Sequence, residues 1–583
     1  MRQAVRRWVS GLRSHERAVA AAAAIAVVGL TFVYGRQVLL RYLVNDDYQV
    51  LYTAWLKSLG KVPGRDFFMA SYHLLFDLLA PLVALFSESL TALYLGRVAM
   101  LLVLGATGLV LYRITSHMFG RVSGFLAPVL AMSTGALLHR GLDLRPDGLT
   151  TLVWLTIGLV ILKRSTLDRR RAFTVGLLIG LACVNRFKGV LVGPVVVGLV
   201  AYDAWTAKPP IRRVRAMAIA LLSLALGTAT SASLYGIVLL ATGQLGAFVR
   251  VTVDLTREIG AIAEPFERHK TLLATWSQDR AFWLLATTGA AMLIAAAIRR
   301  FRREHAVGLG LLLLASASLL LNPAYYCYNL VTLIPLVAPL AACPVGWLLD
   351  RLWDGLMSRG RRTIVAVLGA CLTLSPVLAK SRELWQFATV RSNAHQLALQ
   401  RFLFAATSPS DAVFALEGIG LFRPSVYHWR LPAVLLGLYR RGDVNYDVEL
   451  ADVRPEVIVT SYRVPDWLVP RDAGFIDRHF VALAPFLLVP GFAAPSAGAH
   501  SFEILSPGRY DVLIAQGGHC MLDATDVHAG QIVDLSSGMH ELSTEHASCA
   551  VRRHYSPDAI AMVANPHHIP YLIPPTLDMV GRP

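Results

Sequence analysis

Charge is scarce in this chain: Asp, Glu, Lys and Arg make up 16% of its 583 residues, against 55% hydrophobic residues and a mean hydropathy of +0.52. So little charge cannot cover a water-soluble fold of this size. Phosphate-cradling loops are missing as well. No Walker motif and no strand-linked Gly-x-Gly-x-x-Gly occurs, which argues against nucleotide-driven pumping within this chain. His-Glu-x-x-His, Gly-x-Ser-x-Gly and Cys-x-x-Cys are absent too, removing the usual zinc-protease, serine-hydrolase and dithiol signatures. Cysteine is rare, with six in all. Cys183, Cys327, Cys343 and Cys371 lie in or beside apolar runs and read as small packing residues. Cys520 and Cys549 fall in the C-terminal part, where an extracytoplasmic location would let them pair. Sequence does not show whether their Cα atoms are close enough.

What the chain has in quantity is apolar runs. They recur along the first 380 residues, each near the roughly 20 residues that cross a bilayer. The net charge of +17 sits mostly in short loops between these runs. That distribution reports membrane orientation rather than a nucleic-acid face, so no nucleic-acid partner is expected. Residues 1–17 are basic (Arg2, Arg6, Arg7, Arg13, Arg17) and precede an apolar run from 18 to about 40. That run is longer than a signal-peptide core and reads as an uncleaved first span.

Further basic loops hold Lys163 to Arg171, Lys208 to Arg215, Arg299 to Arg303 and Arg351 to Arg362. Placing all of them in the cytoplasm pairs the apolar runs as out-and-back spans near 18–40, 90–112, 122–138, 148–162, 172–186, 189–206, 216–241, 281–298, 306–321, 328–349 and 363–379. Eleven is odd, so the C-terminal part lies opposite the N-terminus. The segment 74–86 is apolar but interrupted by Asp77 and Pro81, as a re-entrant or interfacial helix would be; if it spans, the count rises, to thirteen at most. The loop 242–280 is expected to carry an amphipathic helix over 248–262.

From Lys380 the composition turns soluble. Asp411-Ala-Val-Phe-Ala-Leu and Pro455-Glu-Val-Ile-Val-Thr read as buried strands, giving an α/β part over 380–484. Beyond 485, short alternating strands (Tyr510-Asp-Val-Leu-Ile-Ala, Gln531-Ile-Val-Asp-Leu, His540-Glu-Leu-Ser) with glycines at 517, 518, 530 and 538 between them read as a β-sandwich. The expected fold is therefore a polytopic α-helical membrane domain over 1–379 and a soluble domain over 380–583. The location this implies is a bacterial inner membrane, with a cytoplasmic N-terminus and an extracytoplasmic C-terminal domain. Cysteines placed at Ser165 and Ser358 should then be protected from an impermeant thiol reagent in spheroplasts, while those at Ser410 and Ser496 should label. Labelling of the first pair would reverse the orientation.

Charged residues at the membrane mouths are the functional candidates. Asn45-Asp46-Asp47-Tyr48 opens the first outer loop. Its two carboxylates can supply a general base or ligate a divalent cation, or can simply cap the following helix. His73 precedes the apolar 74–86 segment, and Arg97 stands at the mouth of a span, where a snorkelling anchor would also be placed. A short loop gathers His139, Arg140, Asp143, Arg145 and Asp147, more ionisable groups than a tight turn needs, though ion pairs stapling helices would look the same. Asn185-Arg186-Phe187-Lys188-Gly189 places two cations at the hydrocarbon edge. They suit a phosphate or pyrophosphate group, acidic side chains, or lipid headgroups.

The order of these features resembles the GT-C superfamily of integral-membrane glycosyltransferases, in particular the protein O-mannosyltransferase and lipid A aminoarabinose transferase type (glycosyltransferase family 39-like). The residues that carry the likeness are Asp46-Asp47, then Ala54-Trp-Leu-Lys-Ser-Leu-Gly60, Pro63 and Asp66-Phe67, then Arg97, Arg145-Pro146-Asp147, Val184-Asn185-Arg186-Phe187-Lys188-Gly189, and Tyr325-Tyr326-Cys327 running into Pro335. Where that family often has Pro-Pro-Leu, this chain has Tyr72-His73-Leu74-Leu75. The resemblance implies a polyprenyl-phosphate sugar donor, inverting transfer to a glycan, lipid or protein acceptor, and no nucleotide cofactor. It makes Asp46 and Asp47 the catalytic pair, or the ligands of a divalent metal ion if one is used. His73, Arg97, Arg145, Asp147, Arg186, Lys188 and Tyr326 become the substrate-binding residues. Two other classes fit the membrane topology: a secondary transporter of a lipid-linked or anionic precursor, and a non-catalytic scaffold whose β-domain binds envelope glycan. The first usually shows paired repeats, which this sequence lacks. The second would make the acidic pair dispensable.

Overall fold

A computed structural model describes residues 13–63, 65–67, 74–163, 168–207, 210–250, 252, 273, 275–321, 329–355, 359–390, 392–415, 419–425, 446–460, 468–515, 518–545 and 549–564. Its helices follow the apolar runs. In chain order they are α1 (Ser14–Leu40), α2 (Asn45–Ser58), α3 (Leu74–Leu85), α4 (Thr91–Phe119), α5 (Arg121–Met132), α6 (Gly135–Arg140), α7 (Pro146–Leu162) and α8 (Arg169–Asn185). After a 3-10 turn at Phe187–Leu191 come α9 (Val192–Ala207), α10 (Pro210–Ala241), α11 (Arg280–Arg299), α12 (Arg303–Leu320), α13 (Leu330–Gly355) and α14 (Arg359–Val390). Eight of these are long and apolar enough to cross a bilayer: α1, α4, α9 with its 3-10 turn, and α10 to α14. Large apolar side chains such as Ile25, Val28 and Phe32 of α1 and Leu222 and Ile237 of α10 point out of the protein. Lipid is the solvent that tolerates them. The amphipathic helix expected over 248–262 lies almost wholly outside the described residues, where only the one-turn helix Leu245–Val249 precedes it.

Two details differ from the run-by-run expectation. The span expected over 122–138 is broken. α5 ends at Met132, and the chain restarts at Gly135, whose N–H donates to the Asp279 carboxylate at 2.9 Å. A carboxyl side chain from another loop thus caps the restart and makes the break stable. α7 and α8, expected as spans, are 17 residues each, shorter than any of the eight; α8, with three arginines in its first turn, packs tightly on α10. A Cβ at Gly176 would come 2.1 Å from the Leu224 carbonyl oxygen, and one at Gly180 would come 2.7 Å from that of Thr228. These small residues let two backbones meet without a wide apolar face, and Ser231 Oγ adds a bond to the Leu177 carbonyl at 2.8 Å.

Helix α14 runs past Lys380 to Val390, so the change of composition falls within a helix that continues beyond the apolar stretch. The short helix α15 (Ala394–Ala406) then leads into the sheet region. Asn393 Nδ2 donates to the Leu39 carbonyl at 2.8 Å. Gln396 brackets Leu43, accepting its N–H at 2.6 Å and donating to its carbonyl at 2.7 Å. The C-terminal part is thereby stitched to the end of α1, directly before Asp46.

Strands β1 (Val413–Ala415) and β2 (Val457–Val459) are fully buried and pair in parallel. They are followed by β3 (Phe480–Ala484), β4 (Leu487–Ala493), β5 (Gly498–Ile504), β6 (Gly508–Ile514), β7 (Cys520–Leu522), β8 (Thr525–Val527), β9 (Ile532–Leu535), β10 (Gly538–Thr544) and β11 (Cys549–Arg553). One sheet runs β1-β2-β4-β11-β6-β9 with β3 on β4, and a second runs β5-β10-β7-β8. The α/β strands and the sandwich strands share the first sheet through β4, and residue 484 sits in the β3/β4 pair. Cys520 and Cys549 are joined in a disulfide with Cα atoms 6.5 Å apart.

The sheet domain is locked to the membrane domain by Arg423. Its side chain is buried and donates through Nη1 to both carboxylate oxygens of Glu88 at 2.6 and 2.7 Å. Its Nε meets Thr407 Oγ1 at 2.7 Å. Glu88 holds a left-handed backbone (φ 59°), a conformation costly for a glutamate unless such contacts fix it. Nearby, the Ser425 N–H donates to the Tyr52 hydroxyl at 2.9 Å.

Candidate active site

The site grows from the N-terminus of α2. Adjacent helical residues are splayed by about 100°, so Asp46 and Asp47 cannot face the same partner. Asp47 turns inward and is completely buried. One oxygen accepts the Leu144 N–H at 2.8 Å. The other accepts the Val44 N–H at 3.2 Å and Arg97 Nη2 at 2.7 Å. Arg97, also buried, spends its remaining reach on the carbonyls of Arg41 (2.7 Å) and Tyr42 (2.6 Å). Of the expected catalytic pair, Asp47 is thus enclosed with both oxygens engaged by protein groups, and Arg97, expected at the substrate, binds Asp47 and two backbone carbonyls. Both carry the helix cap and the loop geometry.

Asp46 turns outward, with its side chain about a third exposed (32%), and is held by Arg145 Nη1. Arg145 reaches Asp147 as well, its Nε 3.4 Å from Oδ2. Asp147 opens α7 at its N-terminal end, where a carboxylate is favoured by the unpaired N–H groups of the first turn. Its side chain is buried between two cations, with Arg186 Nη1 on one oxygen and Lys188 Nζ on the other. Lys188 lies in the 3-10 turn between α8 and α9, and also reaches Thr332 Oγ1 at 3.3 Å. Asn185 ties the end of α8 to the start of α7, donating to the Pro146 carbonyl and to Thr150 Oγ1, each at 2.8 Å. The result is a continuous chain of charge, Asp46–Arg145–Asp147–Arg186/Lys188, assembled from three loops, the first two 99 positions apart and the last two 39.

Behind it lies a second, fully enclosed group in which Asp143 binds Arg41 and, at 3.1 Å, Arg140. Burial alone would push the Asp143 carboxyl up, but the guanidiniums of Arg41 and Arg140 hold it below the usual carboxylate range. This group staples the 139–145 loop to the end of α1, as Arg41 also donates to the His139 carbonyl.

The structure therefore brings together Asp46, Arg145, Asp147, Arg186 and Lys188. His73 and Tyr326 lie outside the described residues. Among the described residues no three His, Cys, Asp or Glu side chains gather as metal ligands. Sequence reasoning missed Arg41, just past the end of the first apolar run, and Thr332, a neutral residue inside another.

No protein-family model matches the sequence, and no curated protein matches it either. Solved structures do. ArnT from Cupriavidus metallidurans bound to undecaprenyl phosphate aligns with a TM-score of 0.55 at 14% identity, over 80% of this chain and 97% of that one. Its apo state gives 0.54 at 13% identity, over 81% and 97%. The apo oligosaccharyltransferase from Archaeoglobus fulgidus gives 0.53 at 11% identity, over 89% and 74%. At these identities the likeness is one of fold: this chain shares the architecture of the ArnT and oligosaccharyltransferase structures.

Proposed function

We propose that this protein transfers a sugar from a polyprenyl-phosphate donor to a cell-envelope acceptor on the extracytoplasmic face of the membrane, with inversion at the anomeric carbon. The observation that carries the reading is one partly exposed carboxylate, Asp46, placed beside a cluster of three cations, Arg145, Arg186 and Lys188, at the mouth of a GT-C-like fold. The undecaprenyl phosphate bound by the ArnT relative supports a lipid phosphate as the donor's leaving group.

In this mechanism Asp46 takes the proton of the acceptor hydroxyl. The acceptor oxygen attacks the anomeric carbon from the face opposite the phosphate, and the carbon–oxygen bond to phosphate breaks with its electron pair passing to the phosphate oxygen. A single displacement inverts the centre. Fixed cations stabilise the charge that develops on the departing phosphate. Lys188 and Arg186 are the natural holders of that phosphate, because they converge from one short turn and sit partly exposed (15% and 23%).

A charge-assisted contact to phosphate contributes on the order of 1.5–3 kcal/mol. Lys188→Ala is therefore expected to raise the apparent KM for the lipid-phosphate donor about ten- to a hundredfold, and Lys188→Arg to do less because the charge stays. Unchanged donor kinetics in Lys188→Ala would move Lys188 to a headgroup-anchoring role.

A further inference from the structure

The ligand-free charge chain balances in a way that points to one more role. Arg145, Arg186 and Lys188 supply three positive charges, and Asp46 and Asp147 two negative ones. The surplus is one positive charge, which a sugar phosphodiester with its single negative charge neutralises. After transfer, Asp46 carries the acceptor's proton and is neutral, while the polyprenyl phosphate has become a monoester that approaches two negative charges near neutral pH. Three positive charges then face Asp147 and the dianion, and the sum is again zero. One unit of negative charge has moved from Asp46 to the phosphate, and a cation must follow it.

We propose that Arg145 is that cation. It acts as a latch that clasps Asp46 in the ligand-free protein and swings to the donor phosphate as Asp46 gives up its charge. The reading rests on the donor chemistry proposed above. Arg145 is the cation able to do this because, among the described residues of the chain, it is the one that touches both carboxylates: Nη1 is on Asp46, and Nε lies 3.4 Å from the Asp147 oxygen shared with Arg186. Its flat guanidinium can hold two acceptors in one plane, so the swing exchanges one oxygen partner for another without breaking the Asp147 contact. Arg186 shares that Asp147 oxygen and Lys188 holds the other, so both pair with Asp147 rather than with Asp46. The latch also keeps a ready base from standing unpaired at the water interface before the donor arrives. Arg145 is thus a positioning residue for Asp46 as well as a contributor to phosphate binding.

The consequence runs against ordinary expectation: removing the base's charge should strengthen product binding. In the wild type, bound undecaprenyl phosphate must take Arg145 from an ionised Asp46. In Asp46→Asn that competitor is weakened, as it is in the protonated wild-type carboxyl after transfer. With the full chain in nanodiscs, titrated with undecaprenyl phosphate, Asp46→Asn should bind about two- to fivefold more tightly than wild type, a size set by the partial exposure of the pair. The gain should vanish when Arg145→Gln is added to both proteins. Asp46→Ser, with no carboxyl at all, should show the same gain and guards against an amide-specific contact.

Equal or weaker binding by Asp46→Asn overturns the latch. So does a gain that persists with Arg145→Gln, since it would report only the general loss of a negative charge. Failure of undecaprenyl phosphate to bind the wild type removes the donor reading, and the latch with it. Turnover retained in Asp46→Asn would remove the base assignment and, with it, the charge transfer that drives the swing, and so overturns the latch as well.

Discussion

Asp46→Asn is expected to abolish sugar transfer while leaving the protein folded. Losing a general base costs about 10²- to 10⁴-fold in rate. The amide has the shape of the carboxylate and keeps an oxygen that accepts a hydrogen bond from Arg145, so the local loop keeps its shape. Asp46 is also the partly exposed member of the acidic pair, and its substitution empties no space in the core. Two measurements settle the matter at equal expression: transfer to acceptor from a polyprenyl-phosphate donor, and the apparent melting midpoint. Lost transfer with an unchanged midpoint is the expected result. Transfer at the wild-type rate would sink the catalytic reading of this loop and favour a non-catalytic, glycan-binding role. In a strain lacking the protein, mass spectrometry of accumulated polyprenyl-phosphate glycans would identify the donor sugar directly.

Much of the membrane domain was legible in the residues, because hydrocarbon imposes a length on every crossing and the basic loops between runs mark its edges. The legible elements are those whose signal is local. α8 was found because its apolar run is bounded by Arg171 and Arg186, even though its contact with α10 rests on Gly176 and Gly180, whose role only packing reveals. The break after α5 was not legible, since it depends on Asp279, a residue 144 positions from the Gly135 it caps. The site shows the same division. That Asp46, Asp147, Arg186 and Lys188 cluster at one mouth follows from topology once the loops are placed on one face. Which of two adjacent aspartates faces outward does not follow from composition; it is fixed by the register of α2 against the Leu144 N–H and Arg97. Arg97 has the same sequence context whether it snorkels, binds phosphate or pins backbone carbonyls, and its contacts with the carbonyls of Arg41 and Tyr42 come from packing that no local pattern carries.

That register makes the Asp47–Arg97 pair a point where stability is strongly exposed to substitution. Both side chains are out of solvent, and the carboxylate also satisfies two backbone N–H groups, those of Val44 and Leu144. Asp47→Ala strands a buried guanidinium and leaves two buried donors without an acceptor. Breaking a buried pair by removing one partner costs about 3–5 kcal/mol. The expected result is a marked fall in apparent melting midpoint and in yield after detergent extraction, with Asp46→Asn as the stable comparison. Membrane proteins often unfold irreversibly, so the comparison is made at one heating rate. Arg97→Ala should fall by a similar amount, since it leaves Asp47 charged and frees the carbonyls of Arg41 and Tyr42. Two residues in one network do not add. The double variant Asp47→Leu/Arg97→Met, with no buried charge left from the pair, should lose less than the two single losses combined. If Asp47→Ala keeps the wild-type midpoint and loses transfer alone, then Asp47 works in the chemistry, and the assignment of the two aspartates is the reverse of the one their contacts indicate.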